Sequence, residues 1–360
     1  MQPSLQSCSN QTASNPFQVF WGGPDRPPRY LRNVLEKRIA SVPAGGEILW
    51  ATYYFRDERL AAALMDASAR GVRVRVVMEG NPRTGAVNEH VASLLKNAGC
   101  LNLKVRTLSH YLPNNYFFRR CRLHEKLYYF SHPEPYALVG TFNPSGNQPE
   151  NPDVLREIGD QDRGHNVLVE ISDPTLVRAL YDHVEDLFSG LHGPWERFLN
   201  RNNRIVVSGD TRLMFFPRSK WHSFNVLFDN LAAGNRLRLA VSHLNDRRMC
   251  QKLFCLAARG VAIQIIAHDT KRRVPTWVER EMNKNGIDFC RYVHPEGLPM
   301  HNKFILFEVG DKNTLVFGSM NLSVRSLHAN HELLFVNQTP ELFQSFSSRW
   351  NTMLRETTLL

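Results

Sequence analysis

The alternation of apolar and polar positions along this chain repeats itself. Glu47 to Tyr53 (Glu-Ile-Leu-Trp-Ala-Thr-Tyr) is an apolar run of strand length; after a polar turn, apolar positions spaced for one helix face span Arg59 to Ala69. Gly71 stops that helix, and Val72 to Met78 reads as a buried strand. The order returns as Arg236 to Ser242, Arg248 to Arg259, Gly260 and Val261 to Ala267. Ala51 to Val72 lies on Ala240 to Val261 without a gap, the Ala starts and the Arg-Gly-Val ends sharing one offset. Strand, helix, strand in about thirty residues predicts a βαβ unit with parallel strands and a right-handed crossover. Phe20-Trp21-Gly22-Gly23-Pro24 precedes the first unit as Phe215-Phe216-Pro217 precedes the second. His165 to Pro174 matches His331 to Pro340, each leading into a helix, Thr175 to Phe188 and Glu341 to Leu354. Repetition in this order predicts a duplicated α/β chain: a flexible leader over 1–14, one copy over 15–200 and another over 201–360. The join falls in the polar run Asn200 to Arg204.

Between each βαβ unit and its tail sits a second doubled pattern. Leu123-His124-Glu125-Lys126 opens an apolar strand and is followed by Gly140-Thr141-Phe142-Asn143; Met300-His301-Asn302-Lys303 opens another and is followed by Gly318-Ser319-Met320-Asn321. On a strand, residues two apart share a face, so His124 and Lys126 point together, as do His301 and Lys303. A lone His beside a Lys is usually a surface pair; two such pairs at matching places in duplicated units are better explained by function. Two imidazoles facing one phosphorus suit double displacement: one attacks to form a phosphohistidine while the other protonates the leaving oxygen and later activates water or an alcohol. Lys126, Lys303, Asn143 and Asn321, with the Thr141 and Ser319 hydroxyls, are the expected donors to the phosphate oxygens. This chemistry needs no metal and no cofactor.

Composition narrows the partners. The hydrophobic share is 42%, which argues against disorder, and no uncharged apolar run reaches the roughly 18 residues of a membrane span. A formal charge of +10 fits phosphate-bearing partners, either an anionic membrane or nucleic acid. Cys8, Cys100, Cys121, Cys250, Cys255 and Cys290 form no CxxC pair and no zinc-ligand spacing. They leave the redox compartment open. Met1 to Asn15 has no signal-peptide pattern and reads as a flexible leader, or as the stub of a mature secreted chain; a secreted, periplasmic or membrane-peripheral place is favoured over a cytoplasmic one.

His-x-Lys with four apolar residues behind it, followed by Gly-Ser-x-Asn, resembles the phospholipase D superfamily, whose members carry two such motifs per active unit. The likeness covers both halves, and the second motif is the fuller, with Arg325-Ser326 and Asn330-His331-Glu332 beyond it. It implies two mixed sheets flanked by helices, related by a pseudo-two-fold axis, with one active site between the halves. With both motifs in one chain, it implies a monomer. The family's motif acid, a structural hydrogen-bonding acid, falls on Ser131 and Glu308; its loss at Ser131 is expected to touch stability more than chemistry, and Glu308 is expected among the residues around the site. A later carboxylate, which in the family orients the opposing His, is matched by Glu332 in the second half; the first half has Asn166 there. Pairing across the interface would set Glu332 on Nδ1 of His124, the expected nucleophile. It would set neutral Asn166 on His301, the expected general acid and base.

Tyr111 to Phe118 with Arg119, Arg120 and Arg122 could form a membrane-touching lip or stack bases, or the rings could simply pack inside. Ser219 to His222 and Lys271-Arg272-Arg273 to Trp277 are weaker versions, expected to be wet faces. His243, which falls where Tyr54 does, is expected to be a hydrogen-bonding histidine beside the cleft. The leading expectation is a phosphodiesterase or phosphatidyltransferase on phospholipids, partnered by the membrane surface. The alternatives are a nuclease or nucleic-acid end-processing enzyme, and a catalytically weak lipid- or nucleic-acid-binding homologue.

Overall fold

Two mixed sheets with the same strand order account for the doubled pattern. The structure, a computed structural model, describes residues 15–84, 86–108, 121–146, 155–156, 158–190, 205–218 and 222–358. The first sheet holds β1 (Phe17–Gly22), β2 (Glu47–Thr52), β3 (Arg73–Glu79), β4 (Leu103–Leu108), β5 (Lys126–Phe130), β6 (Tyr136–Gly140) and β7 (Asn166–Ile171), in the order β1-β7-β6-β5-β2-β3-β4. The second holds β8 (Ile205–Ser208), β9 (Thr211–Phe216), β10 (Arg236–Val241), β11 (Ala262–His268), β12 (Asp288–Tyr292), β13 (Lys303–Val309), β14 (Lys312–Gly318) and β15 (Glu332–Asn337), in the order β12-β11-β10-β13-β14-β15-β9-β8. β2-β3-β4 and β10-β11-β12 are parallel, and the remaining pairs are antiparallel. The fold is therefore the expected pair of α/β halves. Strand β8 was not anticipated; it is four residues long and only Val206 on it is buried, too little alternation to mark a strand.

Nine helices complete the described residues: α1 (Tyr30–Ser41), α2 (Glu58–Ala69), α3 (Glu89–Asn97), α4 (Pro174–Ser189), α5 (His222–Asp229), α6 (Arg247–Ala258), α7 (Thr276–Lys284), α8 (Val324–His328) and α9 (Pro340–Thr358). Even the caps repeat. Asp57 accepts from Leu60 N–H at the start of α2, and Asp246 accepts from Arg248 and Met249 N–H at the start of α6. Gly71 and Gly260 end these helices at φ 95° and 85°, a conformation that costs a side chain strain. Helix α9 runs past the expected Leu354 because Glu356 has buried partners: Tyr292 Oη donates to it at 2.6 Å, and its Oε2 lies 2.7 Å from His165 Nε2.

The two sheets enclose one shared core. Leu127 and Val139 of the first half and Leu306, Phe317 and Phe335 of the second belong to a single buried cluster, with Leu180 of α4 and Phe346 of α9. Separate clusters fill the outer face of each sheet, under α1 and α2 in the first half and α6 and α7 in the second. Inside the shared core, Glu125 Oε1 meets His183 Nε2 at 2.8 Å with both side chains fully buried. Burying the inner faces of both sheets together fixes the halves against each other, and with them the strand ends that carry the motifs.

Candidate active site

Each motif histidine is held by the other half. Backbone bridges join Leu123 to His331 and His165 to Met300, so His124 N–H donates to His331 O at 3.0 Å and His301 N–H to His165 O at 2.9 Å. The residue after each bridge opens a strand: Glu332 begins β15 and Asn166 begins β7. Their side chains then meet the facing imidazoles, His124 Nδ1 lying 2.9 Å from Glu332 Oε2 and His301 Nδ1 2.9 Å from Asn166 Oδ1. The crossed pairing expected from the asymmetry of these two positions is thus the geometry found. With Nδ1 occupied, each ring has Nε2 left for chemistry.

The rest of Gly-(Ser/Thr)-x-Asn supports those partners, with one correction. Ser319 Oγ donates to Glu332 Oε2 at 2.6 Å and accepts from Leu333 N–H; Thr141 Oγ1 donates to Asn166 Oδ1 at 3.2 Å and accepts from Val167 N–H. Both hydroxyls are therefore committed to orienting the groups behind the histidines, rather than standing beside the phosphate as expected. Gly140 and Gly318 let the strands close: a Cβ on either would lie 2.1 Å from Val167 O or Leu333 O. Glu308, placed by expectation in the surroundings of the site, is also elsewhere. It sits at the far end of β13 and pairs with Arg238 at 2.7 Å. Its counterpart Ser131 accepts from Glu47 N–H at 2.7 Å.

His124, His301, Asn143 and Asn321 line a single cleft of about 480 Å³. Asn143 accepts a long contact from Tyr54 N–H, 3.4 Å, leaving its amide hydrogens for a ligand. Lys126 and Lys303 lie behind the imidazoles, their Nζ groups donating to His124 O at 2.5 Å and His301 O at 2.8 Å. Burial lowers the Lys126 ammonium to about 7, and burial with the charges of Lys126 and Arg273 holds Lys303 well below its usual range. Burial, then the two lysines, keeps His124 far below an ordinary imidazole; burial, Lys303 and Arg273 do the same to His301. Burial raises Glu332 to about 7 against the opposing pull of Lys126. Burial and the neighbouring cations therefore favour neutral rings, and an anion set between them would draw protons and positive charge back.

Several cleft residues had no place in the motif. Tyr53 packs against His124 with ring centres 5.0 Å apart and the planes tilted by 59°, and its Oη accepts from Arg122 Nη1 at 3.0 Å. Glu79 at the end of β3 accepts from Leu123 N–H at 2.7 Å, anchoring the backbone next to His124; burial lifts it to about 7. Arg272 and Arg273, expected on a wet face, line the cleft, as does His243. The signal that could have found them is their position after the carboxyl ends of parallel strands, where α/β folds place ligands. Of the expected lip, Arg122 reaches the cleft, while Tyr111 to Arg120 lie outside the described residues, as do Ser219 to Trp221.

Comparison with known proteins agrees with this geometry. Residues 39–187 and 230–354 match the family model described as "Cardiolipin synthase, PLD-like domain". Mitochondrial cardiolipin hydrolase of Danio rerio is 24% identical over 136 residues, 38% of this chain; the match spans 58% of that relative's length. Phosphatidylserine synthase of Haemophilus influenzae Rd KW20 superposes with a TM-score of 0.66 at 10% identity, over 95% of this chain and 86% of its own. Polyphosphate kinase of Porphyromonas gingivalis gives 0.62 at 16% identity, over 94% of this chain and 50% of its own. At those identities the two structures speak for the fold alone. With most of each half matched by the family model, the chain belongs to the phospholipase D-like family.

Proposed function

We propose that this protein is a phosphodiesterase or phosphatidyltransferase of phospholipids that works by double displacement through a phosphohistidine. The observation that carries the reading is that His124 and His301 share one cleft, each held at Nδ1 from the opposite half. His124 Nε2 attacks phosphorus, and the bond to the leaving oxygen breaks as that oxygen takes a proton from His301. His301, now neutral, removes a proton from water or an alcohol; the new oxygen attacks phosphorus and the P–N pair returns to His124. The nucleophile falls to His124 because Glu332 can balance the charge its ring gains on phosphorylation, whereas Asn166 offers His301 only a dipole. Asn143 and Asn321 donate to the equatorial oxygens, and Lys126 and Lys303 supply positive field from behind the rings.

The lipid substrate is supported by the family description and by the names of the relatives, a cardiolipin hydrolase and a phosphatidylserine synthase. On this reading the membrane surface is the working partner and one chain is the catalytic unit. A nuclease is the second reading, favoured by five arginines lining the cleft: Arg83, Arg122, Arg272, Arg273 and Arg325. The test incubates the protein, with EDTA present, with phosphatidylcholine, phosphatidylglycerol and single-stranded DNA, alongside His124→Ala and His301→Ala. Phospholipid cleavage lost in both variants, with a phosphoryl label mapped to His124, supports the proposal. Cleavage of DNA alone, or a label on His301 of the wild-type chain, overturns it.

A further inference from the structure

Three imidazoles of the described residues line the cleft, and the mechanism above uses two of them. His243 is the third. Val241 of β10 pairs with Lys303 of β13, as Thr52 of β2 pairs with Lys126 of β5. Two residues on in one strand and two back in the other, His243 leaves the sheet on the side of His301, as Tyr54 does on the side of His124. All four line the cleft. His243, half-buried, thus flanks the histidine that hands a proton to the leaving oxygen.

Hydrogen-bond accounting fixes the tautomer of His243. Ser242 is fully buried, and its hydroxyl meets two side-chain atoms among the described residues: Arg273 Nη1 at 3.1 Å and His243 Nδ1 at 3.3 Å. A guanidinium only donates, so Ser242 Oγ accepts from Arg273, and the acceptor for its own proton is Nδ1 of His243. A buried hydroxyl with no acceptor would cost free energy. Nδ1 therefore accepts, and a neutral ring carries its hydrogen on Nε2, the nitrogen left to face the cleft. Burial, then Arg273 and Lys303, hold His243 well below an ordinary imidazole, so neutral is the form it keeps. The motif rings have the opposite tautomer. Glu332 accepts at Nδ1 of His124; Asn166, whose amide nitrogen donates to Gln161 O at 3.1 Å, turns its oxygen to Nδ1 of His301. In their neutral forms both carry a lone pair on Nε2. The cleft thus joins two rings with a lone pair at Nε2 to one with a hydrogen there.

We propose that His243 is a third catalytic histidine, a neutral donor whose Nε2–H meets the oxygen that leaves phosphorus and, in the second step, the water or alcohol oxygen that takes its place. This rests on the double-displacement reading above and deepens it. As the P–O bond breaks, its electron pair goes to the leaving oxygen. The N–H of His243 bonds that growing charge, while the proton transferred comes from His301. His243 keeps its own proton throughout. In the second step the same N–H holds the incoming oxygen by a lone pair as His301 takes its hydrogen, which aims that oxygen at phosphorus.

Two measurements test the proposal. Nitrogen NMR of the full chain with isotope-labelled histidine, the His243 signals assigned through His243→Ala, should show this ring protonated at Nε2 and not at Nδ1 at neutral pH. A ring protonated at Nδ1 overturns the proposal. Single-turnover cleavage then compares two short-chain phospholipids, one losing p-nitrophenol and the other glycerol. Glycerol departs as a far more basic oxygen and depends on the donor; nitrophenol carries its charge without help. His243→Ala should slow glycerol release about tenfold or more, the worth of a hydrogen bond to a charged oxygen, and nitrophenol release by about threefold or less. His243→Gln, which returns an N–H, should recover most of the loss. A histidine that only supports the wall would slow both releases alike. Equal slowing of the two, or none, overturns the role of His243 and leaves the double displacement standing. Cleavage of neither lipid by the wild-type chain overturns the phospholipid reading and, with it, the role built on it.

Discussion

Replacing Glu332 by Gln isolates the one difference between the two imidazole partners. The carboxylate is fully buried, 2.9 Å from His124 Nδ1 and 2.6 Å from Ser319 Oγ. A glutamine can still accept from both through its oxygen, so the ring stays in place; the negative charge is lost. When His124 becomes a cationic phosphohistidine, a charged partner is worth about 1.5–3 kcal/mol where a neutral bond gives about 1. The first step should therefore slow by about 2- to 30-fold, the difference of about 0.5–2 kcal/mol between the two kinds of bond. Folding should suffer little, because burial already pushes Glu332 up to about 7 and a neutral amide escapes that cost. The assay is single-turnover release of the alcohol from a chromogenic phosphodiester, with thermal melting alongside. On the proposed mechanism His301 activates the second nucleophile, so Asn166→Ala should instead slow decay of the phosphorylated enzyme. A first step in Glu332→Gln as fast as wild type, with the fold intact, would refute the assignment of His124 as nucleophile.

Three further outcomes follow from buried groups and close contacts. Glu79 is raised from 4.5 to about 7, so its folded form holds a proton that the unfolded chain releases; its contribution is full below about pH 4.5 and is lost as pH rises through about 7. Urea denaturation should accordingly show the stability deficit of Glu79→Gln shrinking between pH 5 and pH 8, by up to about 3 kcal/mol. His183→Leu strands the fully buried Glu125 and should cost about 3–5 kcal/mol, read from the same titration. Gly318→Ala drives a methyl group to 2.1 Å from Leu333 O, and should cost about 3 kcal/mol or more in chemical denaturation while also loosening Ser319 from Glu332.

How much of this was legible beforehand depends on the kind of interaction. The βαβ units could be read because periodicity and a stopping glycine are local, and Asp57 and Asp246 cap the same helix twice. The crossed pairing could be read because Glu332 and Asn166 differ where the His-x-Lys motifs before them repeat. Hydroxyl direction was not legible. Ser319 and Thr141 turn to Glu332 and Asn166 because β14 pairs β15 and β6 pairs β7, and strand pairing is a tertiary fact. Nor does a charge run state which way it faces: Lys271 is exposed while Arg273, two positions on, is buried against Ser242. Glu308 was misplaced because five residues along a strand is about 17 Å, a distance that a motif written as letters conceals.

The backbone bridges at Leu123–His331 and His165–Met300 have a consequence for how this protein can be taken apart. Neither half contains a complete imidazole station, since each lends the other the group that aims its ring. On the proposed mechanism, fragments cut at the join would have to recombine before either histidine could act, which would make turnover a reporter of their reassociation. By the same wiring, a change at position 166 or 332 is felt first in the opposite half, at His301 or His124.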